Sequence, residues 1–201
     1  MPRVSKQLAA ENKKNIEKMS SHLLRDKGFG VSVTDLMHAV GLTHGGFYKH
    51  FQNKDELIDI ACKNTFDQST AKWKKIIQES DTEKMALDTI VERYLSEKNL
   101  ENPSQSCPLS TLTIDVAREE NDKPVKQSFD DGIQALLKIL TQLENADDQN
   151  QISEEAMVKL SLLSGALILA RSVNHDLALN ILDSVKQFLF NQNATINDRT
   201  E

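Results

Sequence analysis

Glycine and proline are scarce, with seven and four residues in a chain of 201. So little punctuation excludes the many tight turns of an all-β fold and leaves long helices as the expectation. Aromatic residues make up only 5%. No long hydrophobic run occurs either. The longest nearly apolar stretch, Leu160 to Ala170, is interrupted by Ser161, Ser164 and Gly165 and falls well short of the ~20 apolar residues that a membrane-crossing helix needs. Cysteine is limited to Cys62 and Cys107, 45 residues apart and without metal-ligand spacing, which excludes a disulfide framework and a zinc site. An export signal is also missing: Met1-Pro2-Arg3 runs into a polar segment with no apolar core or small-residue cleavage site. The cytoplasm is therefore the expected location, and the Asn193-Ala194-Thr195 sequon is without consequence there.

What is present is a chain with 39% hydrophobic and 27% charged residues, enough for a packed core in a soluble protein. Its charge is unevenly placed. Residues 1–54 hold nine Lys/Arg against four Asp/Glu, together with His22, His38, His44 and His50, although the whole chain carries a net charge of −6. A basic head on an acidic body suits a polyanion bound at one end. The four histidines fall on separate predicted helices, so no metal site is expected from them.

Apolar periodicity orders the chain into helices. Ile16, Met19, Leu23 and Leu24 form one stripe on a helix that ends near Gly28. Ser32-Val33-Thr34-Asp35 resembles a capping box and opens a helix of about two turns, stopped by Gly41. Thr43 is the expected N-cap of a second short helix, His44 to Phe51. Asn53-Lys54-Asp55-Glu56 opens a much longer one to about Gln78. Two short helices joined through Gly41-Leu42 make a helix-turn-helix candidate. Beyond Asp81 the pattern predicts helices around Leu87 to Leu95, from Cys107 to about Glu119, and along the stripe from Phe129 to Leu143. After a loop at Glu144 to Gln151, two more run from Ser153 to Val173 and from His175 to about Gln192. A polar tail, 193–201, closes the chain.

Between about Ile16 and Leu57 the sequence closely resembles the DNA-binding domain of TetR-family transcriptional regulators. The resemblance is carried by Gly28-Phe29, Ser32-Val33, Asp35-Leu36-Met37, the run Gly41-Leu42-Thr43-His44-Gly45-Gly46-Phe47-Tyr48, His50-Phe51 and Asn53-Lys54, all at the family's spacing. It implies an all-α fold. Residues 1–57 would form a three-helix DNA-binding domain whose last helix continues to about 78 as a connector, and residues 58–192 an effector-binding and dimerisation domain. It also implies DNA contacts at Ser32, Thr34, Thr43, His44, Gly45, Gly46, Tyr48, Lys49, His50 and Lys54.

Physical reasoning supports that head independently. A recognition helix must bring its first turn close to base edges, and Gly45-Gly46 removes the side chains that would hold the backbone away. Two adjacent glycines cost about 1 kcal/mol each relative to Ala, so an ordinary core helix would rarely keep them. Phe47 and Phe51 should face inward with Phe29, Leu36 and Val40, leaving Tyr48, Lys49 and His50 outside. Helix starts at Ser32, Thr43 and Asn53, with Tyr48, His50 and Lys54, suit phosphates. His44, Lys49 and the close approach at Gly45 suit bases.

In the remainder, Phe66, Trp73, Tyr94, Cys107 and Phe129 are candidate lining for a small-molecule pocket. Ser106-Cys107-Pro108-Leu109-Ser110, followed by Asp115-Val116-Ala117-Arg118, looks like a motif of a subgroup of the family in which Gly usually precedes Cys-Pro-Leu; Ser106 departs from it. Pro108 places the Cys107 thiol near a helix start, where thiolate is favoured, so an electrophile or oxidant sensor stands beside a plain packing role. The last two helices resemble the pair that forms a four-helix bundle with a partner subunit. Leu160, Leu163, Ser164, Leu167, Leu182 and Val185 are the expected dimer interface.

Rival functions lack their residues. No Glu-x-x-His pair supports a carboxylate-bridged metal enzyme, and residues 55–201 contain only His175, too little for a hydrolase. A helical interaction module that has lost DNA binding is the remaining alternative. The expectation is a non-enzymatic, cofactor-free homodimeric repressor that binds a palindromic double-stranded operator, is released by a small molecule and has no membrane partner.

Overall fold

The computed structural model describes residues 6–144 and 151–197, and the side chains within them up to Gln192. Among the described residues there are ten α-helices and no strand. They are α1 (Lys6–Lys27), α2 (Val33–His38), α3 (His44–Phe47), α4 (Lys54–Glu79), α5 (Glu83–Tyr94), α6 (Glu97–Glu101), α7 (Thr113–Arg118), α8 (Pro124–Leu143), α9 (Glu154–Ala170) and α10 (His175–Asn197). Short 3-10 turns at Pro103–Gln105 and Pro108–Ser110 lie between α6 and α7.

The chain divides into two compact units, one of residues 1–67 with 104–132, the other of 68–103 with 133–201. Residues 104–132, which the sequence reading placed in the effector region, thus cluster with the head.

In the first unit, α1 ends where Gly28 takes φ +73°, a left-handed conformation that its missing Cβ permits, while its amide donates to Leu24 O at 2.8 Å. Gly41, at φ +71°, ends the α2 segment in the same way. Ser32 caps α2: its Oγ accepts from Asp35 N at 3.1 Å and donates to the Asp35 carboxylate at 2.7 Å. At the start of α4, Asn53 Oδ1 accepts from Glu56 N at 2.8 Å, and Glu56 Oε2 from Gln52 N at 2.6 Å. The core contains Ile16, Leu24, Leu36, Met37, Phe47, Phe51 and Leu57, with the Phe47 and Phe51 rings 5.4 Å apart. Phe29 is buried as expected, whereas Val40 is only half-buried.

Three helix predictions are corrected. The second helix of the head stops at Phe47, and i to i+3 bonds from Lys49 N to Gly46 O and His50 N to Phe47 O carry the chain to Phe51, as expected of a helix weakened by Gly45-Gly46. The predicted helix from Cys107 to Glu119 is a 3-10 turn followed by the six residues of α7. α10 extends to Asn197, past the expected end at Gln192. The loop predicted at Glu144 to Gln151 falls mostly on residues 145–150, outside the described ones.

The second unit centres on α5, α9, α10 and the second half of α8. Its core includes Ile90, Val91, Leu136, Leu140, Leu163, Leu167 and Leu182. Ser153 caps α9 through Ala156 N at 3.0 Å. Lys159, buried in the first turns of α9, is balanced by Glu144 at 3.0 Å and Glu155 at 2.6 Å, which satisfies a cation that would otherwise be costly to bury.

Candidate nucleic-acid interface

The exposed residues of the helix-turn-helix gather on one stretch of chain. Thr43, His44, Gly45, Tyr48 and Lys49 are exposed, and Gly46 and His50 half-buried. Between them Phe47 points inward and is fully buried, so the helix places alternate groups on the core and on solvent. Tyr48 is 62% exposed, an unusual state for an aromatic residue, and its ring is held edge-on between His44, 5.8 Å away, and Phe47, 5.3 Å away.

The two adjacent glycines differ from Gly28 and Gly41, because no positive φ demands them. A Cβ on Gly45 would meet nothing within 4 Å, and one on Gly46 would make ordinary contact with Met37 Cε at 3.5 Å. Neither packing nor backbone conformation requires glycine at these positions. The bare backbone of Gly45 faces outward, while Gly46 turns toward Met37.

The remaining candidates are more occupied than their sequence positions suggest. Ser32 and Thr34 are exposed, but the Ser32 hydroxyl is committed to Asp35, whose carboxyl these hydrogen bonds hold below its usual range. Thr43 precedes α3 in extended conformation without a side-chain cap, so its backbone alone performs the predicted capping. Lys54 donates its ammonium to Phe29 O. That leaves two of its three protons for another acceptor. Lys13 Nζ lies 5.3 Å from the Phe51 ring centroid and adds a cation that the motif did not indicate.

A second group of contacts, within the same compact unit, ties the end of α1 to residues 104–115. His22 Nδ1 is 3.0 Å from Ser104 O, Arg25 Nη1 donates to Ser106 O at 2.9 Å, and Phe29 N donates to Asp115 Oδ1 at 3.4 Å. Sequence reasoning did not connect these residues. His22 and Arg25 lie one turn apart on α1 and Phe29 just beyond its end, but their partners lie more than 80 residues away.

The five candidate pocket residues are buried in two groups. Phe66 and Phe129 meet edge-to-face at 5.1 Å in the first unit, which also contains Cys107; Trp73 and Tyr94 meet at 6.3 Å in the second. None of the five lines the recess formed by Asp55, Ile58, Glu119, Lys123, Pro124 and Val125, whose 10 Å³ holds about one water.

Most residues expected at a dimer interface are enclosed within the single chain. Leu160, Leu163, Leu167 and Leu182 are at most 5% exposed in the single chain and belong to its own core. α9 is apolar nearly all round, so apolar side chains also lie away from this core. On α9, Val158 and Leu169 are exposed and Leu162 and Gly165 half-buried, and on α10 Leu177 and Phe188 are exposed and Ile181 half-buried, each at helical spacing. Ser164 and Val185 are half-buried as well.

Comparisons with known proteins agree with the helix-turn-helix. Residues 19–60 match the family of bacterial regulatory proteins, tetR family. No curated protein matches the chain. Among solved structures it is similar to E. coli NemR in its reduced form, with 15% identity over 90% of this chain and 96% of that one and a TM-score of 0.75. A TetR-family transcriptional regulator from Agrobacterium tumefaciens shares 12% identity over 92% and 98%, with a TM-score of 0.74. Another from Cytophaga hutchinsonii shares 22% over 92% and 95%, with a TM-score of 0.71. These likenesses show a common fold over nearly the whole chain. Among the described residues, no group of His, Cys, Asp and Glu could hold a metal ion, and no helix is long and apolar enough to cross a membrane.

Proposed function

We propose that the chain acts as a homodimeric, ligand-responsive transcriptional repressor, a reading supported by the match of residues 19–60 to the tetR family of bacterial regulatory proteins and by the all-helical fold that the whole chain shares with solved regulators. The observation that carries the reading is the outward-facing Gly45 backbone, followed by half-buried Gly46 and flanked by exposed His44, Tyr48 and Lys49, at glycines that the fold itself does not need. Such a surface lets a backbone approach base edges in the major groove while Tyr48, Lys49 and His50 reach phosphates or bases. The exposed apolar faces of α9 and α10 would meet their symmetry mates, since an isologous four-helix packing buries both at once. Two heads held by that dimer would read half-sites about 34 to 36 Å apart on a palindromic operator.

An effector stabilising a different head spacing would release the DNA. Residues 104–115, fastened to α1 through Arg25 and Phe29, are the chain's candidate route for that change. The protein would work in the cytoplasm, with no cofactor and no enzymatic step. The test is selection of bound fragments from sheared genomic DNA, followed by binding measurements on the strongest fragment. A palindromic site bound at least 1,000-fold more tightly than random DNA, roughly the lower end for specific recognition, supports the reading. Equal binding to all fragments, or none, identifies a helical interaction module instead.

A further inference from the structure

α1 ends on a cap that uses one hydrogen bond. Gly28, at φ +73°, donates its amide to Leu24 O at 2.8 Å, and a left-handed cap of this type provides no helix carbonyl for the amide that follows. Asp115 of α7 supplies the acceptor: Phe29 N donates to Asp115 Oδ1 at 3.4 Å, across 86 residues of sequence. Its carboxylate also occupies the space beside Gly28, where a Cβ would come within 2.9 Å of Asp115 Oδ2. Leu112 and Val116, one turn apart and both buried, anchor the segment that carries it. A tertiary contact thus completes the stop signal that Gly28 begins.

The same turn holds a DNA-contact candidate on its other side. Phe29 O accepts from Nζ of Lys54, the first residue of α4, and the Phe29 side chain is buried, so the residue is fixed between two distant side chains. Three residues later Ser32 caps α2. We propose that Asp115 is a positioning residue for DNA binding: it fixes the Gly28-Phe29 turn, which holds the Lys54 ammonium by one proton and leaves the other two for a phosphate. This assignment rests on the DNA-binding reading above and adds to it a residue outside the matched segment 19–60.

The contribution is one of preorganisation. A long ammonium side chain that must be ordered on binding loses affinity, and an anchor present before the DNA arrives removes part of that cost. Among the described residues, Asp115 and Lys54 form no ion pair with each other. Acting through the Phe29 backbone, the carboxylate therefore places the ammonium without neutralising it. A shift of α7 would reach the phosphate contact by this route without α7 approaching the DNA.

The test uses the full chain, the strongest genomic fragment and random DNA over a salt series. Lys54→Ala should lower the magnitude of the log K against log salt slope by about 1.8 for a dimer. Asp115→Ala should change the slope in the same direction, and Asp115→Asn, which keeps an acceptor oxygen, should restore most of it. The double variant should match Lys54→Ala alone, because both substitutions remove the same contact. A merely structural Asp115 would lower the unfolding midpoint and leave the slope as it was. An unchanged slope in folded Asp115→Ala, or two effects that simply add, overturns the proposal and leaves the DNA-binding reading standing; a parent protein that binds no fragment overturns both. The parent also gives a result that needs no variant. By the reciprocity of coupling, operator binding should slow hydrogen exchange of the Phe29 amide about threefold more than that of amides in the middle of α1, and no such difference overturns the proposal even if Asp115→Ala does not fold.

Discussion

Gly132 on α8 lies against the ring of Phe66 on α4 so closely that a Cβ at that position would sit 2.2 Å from Phe66 Cγ. The Phe66 ring is in turn held edge-on by Phe129, one helical turn before the glycine. The contact requires a residue without a side chain in the middle of a helix, where glycine is otherwise unfavourable.

Gly132→Ala should therefore destabilise the protein. Helix propensity alone would favour alanine by about 1 kcal/mol, but displacing a buried ring typically costs about 1 to 3 kcal/mol. Thermal unfolding should show a lower midpoint, by about 2 to 4 °C for each kcal/mol of net loss in a chain of this size. An unchanged or higher midpoint would mean that Phe66 can turn aside freely.

Gly45→Ala separates folding from DNA binding. A Cβ there meets nothing within 4 Å, so stability should hold or rise by up to about 1 kcal/mol. Operator affinity should fall at least tenfold if the bare backbone approaches the bases. A variant that is both stable and fully active in a fluorescence-anisotropy titration would show that the glycine serves neither role.

On α9, Leu169→Glu and Leu163→Asp should act differently. Leu169 is 59% exposed, so a charge there should leave the chain folded and shift it from dimer to monomer in sedimentation velocity. Leu163 is fully buried, and an unpaired carboxylate in its place should cost several kcal/mol and unfold the chain. If Leu169→Glu remains dimeric at micromolar concentration, the outward faces of α9 and α10 do not hold the dimer.

Within the head, Lys54→Ala and His44→Ala test phosphate anchoring against base readout. One lost phosphate contact per subunit would lower the magnitude of the log K against log salt slope by about 1.8 for a dimer and weaken operator and random DNA alike. Lys54 also holds Phe29 O, so a modest stability loss should accompany the flatter slope. His44→Ala should cost about 1 to 3 kcal/mol per half-site on the operator and much less on random DNA. The opposite pattern would exchange the two roles.

Short-range chemistry made the head legible in the sequence. Ser32 with Asp35, Asn53 with Glu56, and the left-handed Gly28 and Gly41 act within four residues of their partners, so caps and stops could be read in order. The spacing of Phe47 and Phe51 likewise announced the inward face. Where two local rules competed, the reading was less secure: Thr43 signalled a helix to Phe51, but Gly45-Gly46 shortened it to four residues.

Tertiary structure decided what local patterns leave degenerate. Nearly every side of α9 is apolar, so periodicity could not say whether Leu163 or Leu169 faces the core, and only packing within the unit buried the first and exposed the second. Arg25 looked like one more cation of a basic head until the fold enclosed it against Ser106. Capping and periodicity act over a few residues and are written in order along the chain, whereas burial depends on which distant segments arrive at the same place.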